Sequence, residues 1–218
     1  MRRGDIKIRD DVVAELEFMP GVHAESIGVA VKDGVVTLVG NVPAYGQMAR
    51  AEAAVKRIRG VCDVVQNLNV ELPYDAMRRD EEIAAHAVDI LAWSAAASAE
   101  RLTVAVEGGW VTLTGEVGSH YEAEQAERAI AGLQGIVGIH NRTTVRPAFE
   151  RGWTRKQISD AFRRAAHLDA RAIEVSINGG EVVLSGSVKD LLEREIAEET
   201  AWAAPGVTHV VDHIRITP

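Results

Sequence analysis

The closest pair of histidines in the sequence is His209 and His213, with Asp212 between them. Imidazole nitrogens and carboxylate oxygens are the donors of a zinc site, and residues four apart on a strand share a face. The repeat described below, however, puts His209 in a turn ahead of the strand that carries His213. Solvated side chains are therefore expected, not a metal centre. The acidic runs Asp80-Glu81-Glu82 and Glu193 to Glu199 fall on predicted helices. In a first turn, carboxylates favour the positive end of the helix dipole, so Asp80 to Glu82 need no calcium ion to explain them. Gly108-Gly109 and Gly179-Gly180 could suggest a phosphate-cradling loop, but alternating apolar residues flank both pairs and predict hairpin turns. Cys62, the single cysteine, lies among Val61, Val64 and Val65, which predicts a buried, inert thiol and excludes an internal disulfide. The chain has no G-x-S-x-G, G-x-x-x-x-G-K-[ST], H-E-x-x-H or C-x-x-C motif. No catalytic residue, metal site or cofactor is expected, and the chain reads as a non-enzyme.

The elements that position these residues recur. VKDGVVTLVGNV (31–42), VEGGWVTLTGEV (106–117) and INGGEVVLSGSV (177–188) match at offsets of 75 and then 71 residues. Ile27, Leu102 and Ile173 align upstream. Gly60, Gly135 and Gly206 align downstream, as do Val70, Val145 and Ile216. A repeat of this length marks a duplicated structural unit.

Each copy opens with apolar residues four apart, Val12 and Leu16, Ala87 and Leu91, or Ile158 and Phe162, which predicts helices over 8–18, 80–93 and 155–166. Two alternating strands follow across a turn at Asp33-Gly34, Gly108-Gly109 or Gly179-Gly180. The second strand is expected to end at Gly40, Gly115 or Gly186. A helix with small core residues comes next: Ala51, Ala54, Val55 and Ile58; Ala126, Ala129, Ile130 and Leu133; Ala197, Thr200, Ala201 and Ala204. It is expected to stop at Gly60, Gly135 or Gly206 acting as a left-handed C-cap. A last strand closes the unit. The fold class is α+β: three tandem α-β-β-α-β modules over 5–73, 76–147 and 152–218, each a small three-stranded mixed sheet with two helices on one face.

This pattern, with its hairpin V-x-D/G-G-x-V-x-L-x-G-x-V and a later G-V/I-x-x-V/I, resembles the BON domain, named for bacterial OsmY and nodulation proteins. The glycine carried here by Gly40, Gly115 and Gly186 is that family's hallmark. The resemblance implies a transport-associated bacterial module that binds phospholipid or membrane surfaces, often in osmotic or envelope stress. It also occurs in secretins, channels and a cytoplasmic potassium-binding protein. It implies no catalytic residue.

Composition narrows the partners. The net charge is −8, and residues 74–148 carry 6 basic against 11 acidic side chains, which argues against nucleic acid. The N-terminal residues MRRGDIKIRDD lack the apolar run of a secretory signal, so a cytoplasmic location is expected, or a periplasmic one if a signal was removed.

Two surfaces could bind. The open sheet face places Trp110 outward, where the other copies have Val35 and Glu181, beside Arg142 and Arg146. An outward Trp next to Arg suits an interface anchor, although packing on a neighbouring module of the same chain explains it as well. The first helices carry basic residues, above all Arg155, Lys156, Arg163 and Arg164, with Trp153 nearby, which could meet anionic headgroups. The partner is expected to be an anionic phospholipid surface or a protein. The alternatives are a cytoplasmic protein-interaction scaffold and a small-ligand or potassium-ion sensor. Packing between modules or a homo-oligomer is expected to cover part of these faces.

Overall fold

The computed structural model describes residues 3–94, 102–145, 160–161, 172–204 and 207–217. Among them are nine strands in three separate three-stranded sheets, and five helices. The first copy runs α1 (Arg3–Phe18), β1 (Ile27–Lys32), β2 (Val35–Val42), α2 (Tyr45–Lys56) and β3 (Asp63–Val70). The second runs α3 (Asp80–Ser94), β4 (Leu102–Glu107), β5 (Trp110–Val117), α4 (His120–Ile130) and β6 (Gly138–Val145). In the third, β7 (Ile173–Asn178), β8 (Glu181–Val188), α5 (Leu191–Trp202) and β9 (His209–Ile216) are described. The helix expected over 155–166 lies outside the described residues, apart from Asp160 and Ala161.

The three sheets share one topology. The first two strands form an antiparallel hairpin, and the third strand returns parallel to the second, with the pairs Val31↔Val36 and Val36↔Val64 in the first copy. The second strand is therefore central, flanked on both sides. Its inward residues are fully buried: Val36 and Leu38, Val111 and Leu113, Val182 and Leu184. The alternation that predicts the strand is the alternation that fills the core. Small residues on the second helix, Ala51 and Ala54, Ala126, or Ala197 and Ala201, are buried and let that helix lie close on the sheet.

Four local expectations change. The helix predicted from residue 8 starts at Arg3, because the buried Asp5 carboxylate accepts a hydrogen bond from Gly34 N and ties the first turn to the hairpin. Asp80 does the same in the second copy, accepting from Gly108 N at 2.7 Å and Gly109 N at 2.9 Å. Its carboxylate thus holds a hairpin turn and does more than complement a helix dipole. Gly60 and Gly135 have left-handed φ, but α2 already ends at Lys56 and α4 at Ile130. These glycines serve close approach to the first helix: a Cβ on Gly135 would sit 2.9 Å from Ile83 Cδ1. Gly206 lies outside the described residues. Finally, the second strand runs two residues past Gly40, Gly115 and Gly186, because its pairing with the third strand continues to Val42↔Val70 and its equivalents.

The second helices bring the copies together. Tyr45, at the start of α2, packs against the core of the second copy, and Gly46 lies over the Ala131 carbonyl beyond α4. Trp202, at the end of α5, stacks on His120, at the start of α4, with ring centroids 4.2 Å apart. Leu191, at the start of α5, is buried in the core of the first copy, and its N–H donates to Val61 O at 2.9 Å. Lys56 of α2 bridges Glu195 of α5 at 2.8 Å. Each copy thus touches the other two through its second helix. No helix among the described residues is long and apolar enough to cross a membrane.

Candidate functional site

The open sheet face of the second copy is built by alternation on β5 and β6. Trp110 and Arg142 both project from it, together with His140. Trp110 is 44% exposed. It stacks on His140, with ring centroids 4.7 Å apart and an interplanar angle of 13°. Its ring fills the space beside Gly138, the residue directly across the parallel ladder, where a Cβ would lie 2.1 Å from Cζ3. The sequence pairs a Trp with a Gly so that the indole lies down on the sheet. Arg142 is exposed two residues beyond His140. Gly138→Ala is expected to lift the indole off β6 and red-shift its emission, at a cost of about 1 kcal/mol; a difference spectrum against wild type checks this.

The other basic residues expected to bind, Arg146, Arg155, Lys156, Arg163 and Arg164, lie outside the described residues, as does Trp153.

A second surface was not legible as such in the sequence. Phe18 ends α1 and Trp93 stands at the end of α3, at equivalent positions 75 residues apart. They are 84% and 90% exposed. Val13 and Val88, also equivalent, are exposed on the same helices. At that exposure Trp93 is not part of a core, whereas Trp202 stacks on His120 of the second copy. The repeat offset itself was the available signal: an aromatic residue two positions past the last core-facing residue of the first helix (Leu16, Leu91), in two copies of three. Large exposed apolar residues that recur at one structural position mark contact surfaces more often than scattered ones do.

The remaining chemistry candidates resolve plainly. His209 is the first residue of β9, not part of a preceding turn, so it shares an outward face with His213. Four strand residues nevertheless separate them by roughly 13 Å. Asp212 points the other way and pairs with Arg194 of α5. No group of three metal-binding side chains is assembled among the described residues. Burial pushes the Cys62 thiol up, helped by the Asp190 and Asp63 charges, and its S–H donates to Gly60 O. A thiol held protonated is a poor nucleophile. Gly108-Gly109 and Gly179-Gly180 are hairpin turns, as expected.

The BON domain family model matches residues 4–71, 79–147 and 151–218. Two solved structures of CdsD, a structural protein of the type III secretion system of Chlamydia trachomatis, align along the chain. One, of its C-terminal domain, is 16% identical, covers 98% of each chain and has a TM-score of 0.26. The other is 15% identical, covers 97% of this chain and 93% of that one, and has a TM-score of 0.26. No curated protein matches the chain.

Proposed function

Because the chain belongs to the BON domain family, matched three times along its length, we propose that it is a non-catalytic binding protein that associates with phospholipid surfaces. The observation that carries this reading is the pair Phe18 and Trp93, held out into solvent at equivalent helix ends. Aromatic rings at that exposure gain free energy by entering the boundary between headgroups and acyl chains. The neighbouring side chains on these helices are mainly acidic, Asp10, Asp11 and Glu17 on α1 and Asp89 on α3. Contact at these ends therefore depends on apolar insertion. A salt-sensitive component on anionic vesicles falls to the basic residues Arg155, Lys156, Arg163 and Arg164.

The test is co-sedimentation of the full chain with neutral and with anionic liposomes, at low and moderate salt. Replacing both aromatics (F18S and W93S together) is expected to reduce vesicle binding about tenfold, a loss near 1.4 kcal/mol. W110A is expected to bind vesicles as wild type does. Absence of vesicle binding under every condition overturns this reading.

A second reading, a protein-interaction scaffold, is favoured by Trp110. Its ring is immobilised by His140 and Gly138 before any partner arrives, so little side-chain freedom remains to be lost on docking. Aromatic side chains are among those that dominate protein interfaces. Complexes that survive without lipid and are lost in W110A support this reading.

A further inference from the structure

We propose that the docking of the third copy onto the first is controlled by a proton held between Glu198 of α5 and Asp212 of β9. The equivalent position on the third strand is polar in each copy: Gln66, Asn141 and Asp212. In the second copy Asn141 donates to Ala123 O at 3.0 Å and to Glu127 at 3.2 Å, a neutral side chain bonding the helix above it. Only the third copy puts an ionisable group there, and it faces a second carboxyl.

The surroundings of Glu198 are these. Arg194, one turn earlier on α5, lies 3.7 Å from Glu198 and pairs with Asp212. Glu195, on the same helix, adds a negative charge to the group. Ile214 N donates to Asp212 at 2.7 Å. From the first copy, the Asp63 charge acts on Arg194, and Lys56 holds Glu195. Two carboxyls beside one guanidinium leave one negative charge in excess when both ionise. Burial, the hydrogen bond with Asp212 and its charge push the Glu198 carboxyl up to about 7, against the pull of Arg194. Burial would raise Asp212, but its bonds with Glu198, Ile214 N and Arg194 outweigh that and hold it below the usual carboxylate range.

The helix that carries Glu198 is also the helix that docks on the first copy, through Leu191 on Val61 and Glu195 on Lys56. Ionisation of Glu198 sets it against Asp212 and Glu195 and competes for Arg194, so it loosens α5 from both neighbours at once. The direction follows from proton uptake. A carboxyl raised in the folded state binds more protons there than in the unfolded chain between its ordinary value of 4.5 and about 7. Its stabilisation is complete below that window and is lost as pH rises through 7. Asp212 has the opposite sign, and its contribution is lost only as pH falls below its ordinary 3.8.

The experiment is hydrogen exchange on the full chain at pH 6.0 and pH 8.5, corrected for intrinsic rates, read in α5 and in the segment around Val61. Protection of both segments is expected to fall roughly tenfold at the higher pH, a share of full ionic coupling discounted for partial solvent exposure. E198Q should remove the step, and E199Q, at an exposed neighbour, should keep it. D212N should move the step to lower pH, because it removes the charge that raises Glu198. A step that persists in E198Q, no step in the wild type, or a step in α5 that spares the Val61 segment would each overturn the proposal.

Discussion

Gly40→Ala is expected to destabilise the first copy by on the order of 3 kcal/mol, a large effect for a one-methyl change. Gly40 adopts φ +139°, a backbone region open in practice to glycine alone. A Cβ built there would stand 2.0 Å from the Ser26 carbonyl oxygen. That oxygen is backbone, held in the turn that leads into β1, so no side-chain rotation relieves the contact. The same geometry recurs at Gly186, whose Cβ would meet the Ala172 carbonyl at 2.0 Å with φ +126°, and Gly115 shares the φ at +127°. The position sits where the hairpin partner begins (Ile27 pairs with Gly40) while the central strand continues against its parallel neighbour. The control is Gly108→Ala. Gly108 has φ +57° with nothing within 4 Å of its Cβ, so the change costs about 1 kcal/mol. Urea unfolding of the two variants checks the order. Equal losses would mean that the close approach of the preceding turn does not set the requirement for glycine.

The hairpin glycines show why so much of the fold was legible. Alternation, turn residues and a period near 75 are local signals, and three copies supply them three times, so the strands, their turns and most of the core follow from spacing alone. What spacing does not carry is three-dimensional approach. Gly60 and Gly135 read as helix caps because a left-handed glycine after a helix commonly is one. Only the packing of Ile8 and Ile83 against them reveals the other reason. Asp80 reads as a helix-dipole residue and Asp5 falls ahead of the periodic part of its helix, since the hairpin amides they hold lie 29 residues away in sequence. The surfaces were half legible. Trp110 was placed outward correctly by parity, but its seat on Gly138 depends on which residue of β6 lies opposite, which no local pattern gives. Phe18 and Trp93 fell just past the periodic part of their helices, where amphipathic patterning stops assigning faces.

Leu191→Ala tests whether the three copies are separate units or one assembly. By sequence Leu191 opens the second helix of the third copy, yet its side chain is buried with Val61 and Val42 in the core of the first. Its removal should therefore cost about 2–3 kcal/mol, as for other buried Leu truncations. The loss should appear in a part of the chain that begins more than a hundred residues earlier. Leu191 N also donates to Val61 O, so side chain and backbone clamp the same point. The Lys56–Glu195 pair beside it is part-exposed and adds little by itself. Apolar burial thus dominates the contact, and raised salt should leave the first copy's stability nearly unchanged. Hydrogen exchange in α2 and at Val61 measures the outcome. Faster exchange there in Leu191→Ala, with β4 to β6 of the second copy unaffected, is the expected result. If only the third copy loosens, Leu191 serves its own module. The proton on Glu198 would then have no lever on the first, because the helix that carries both residues would be anchored at one end alone.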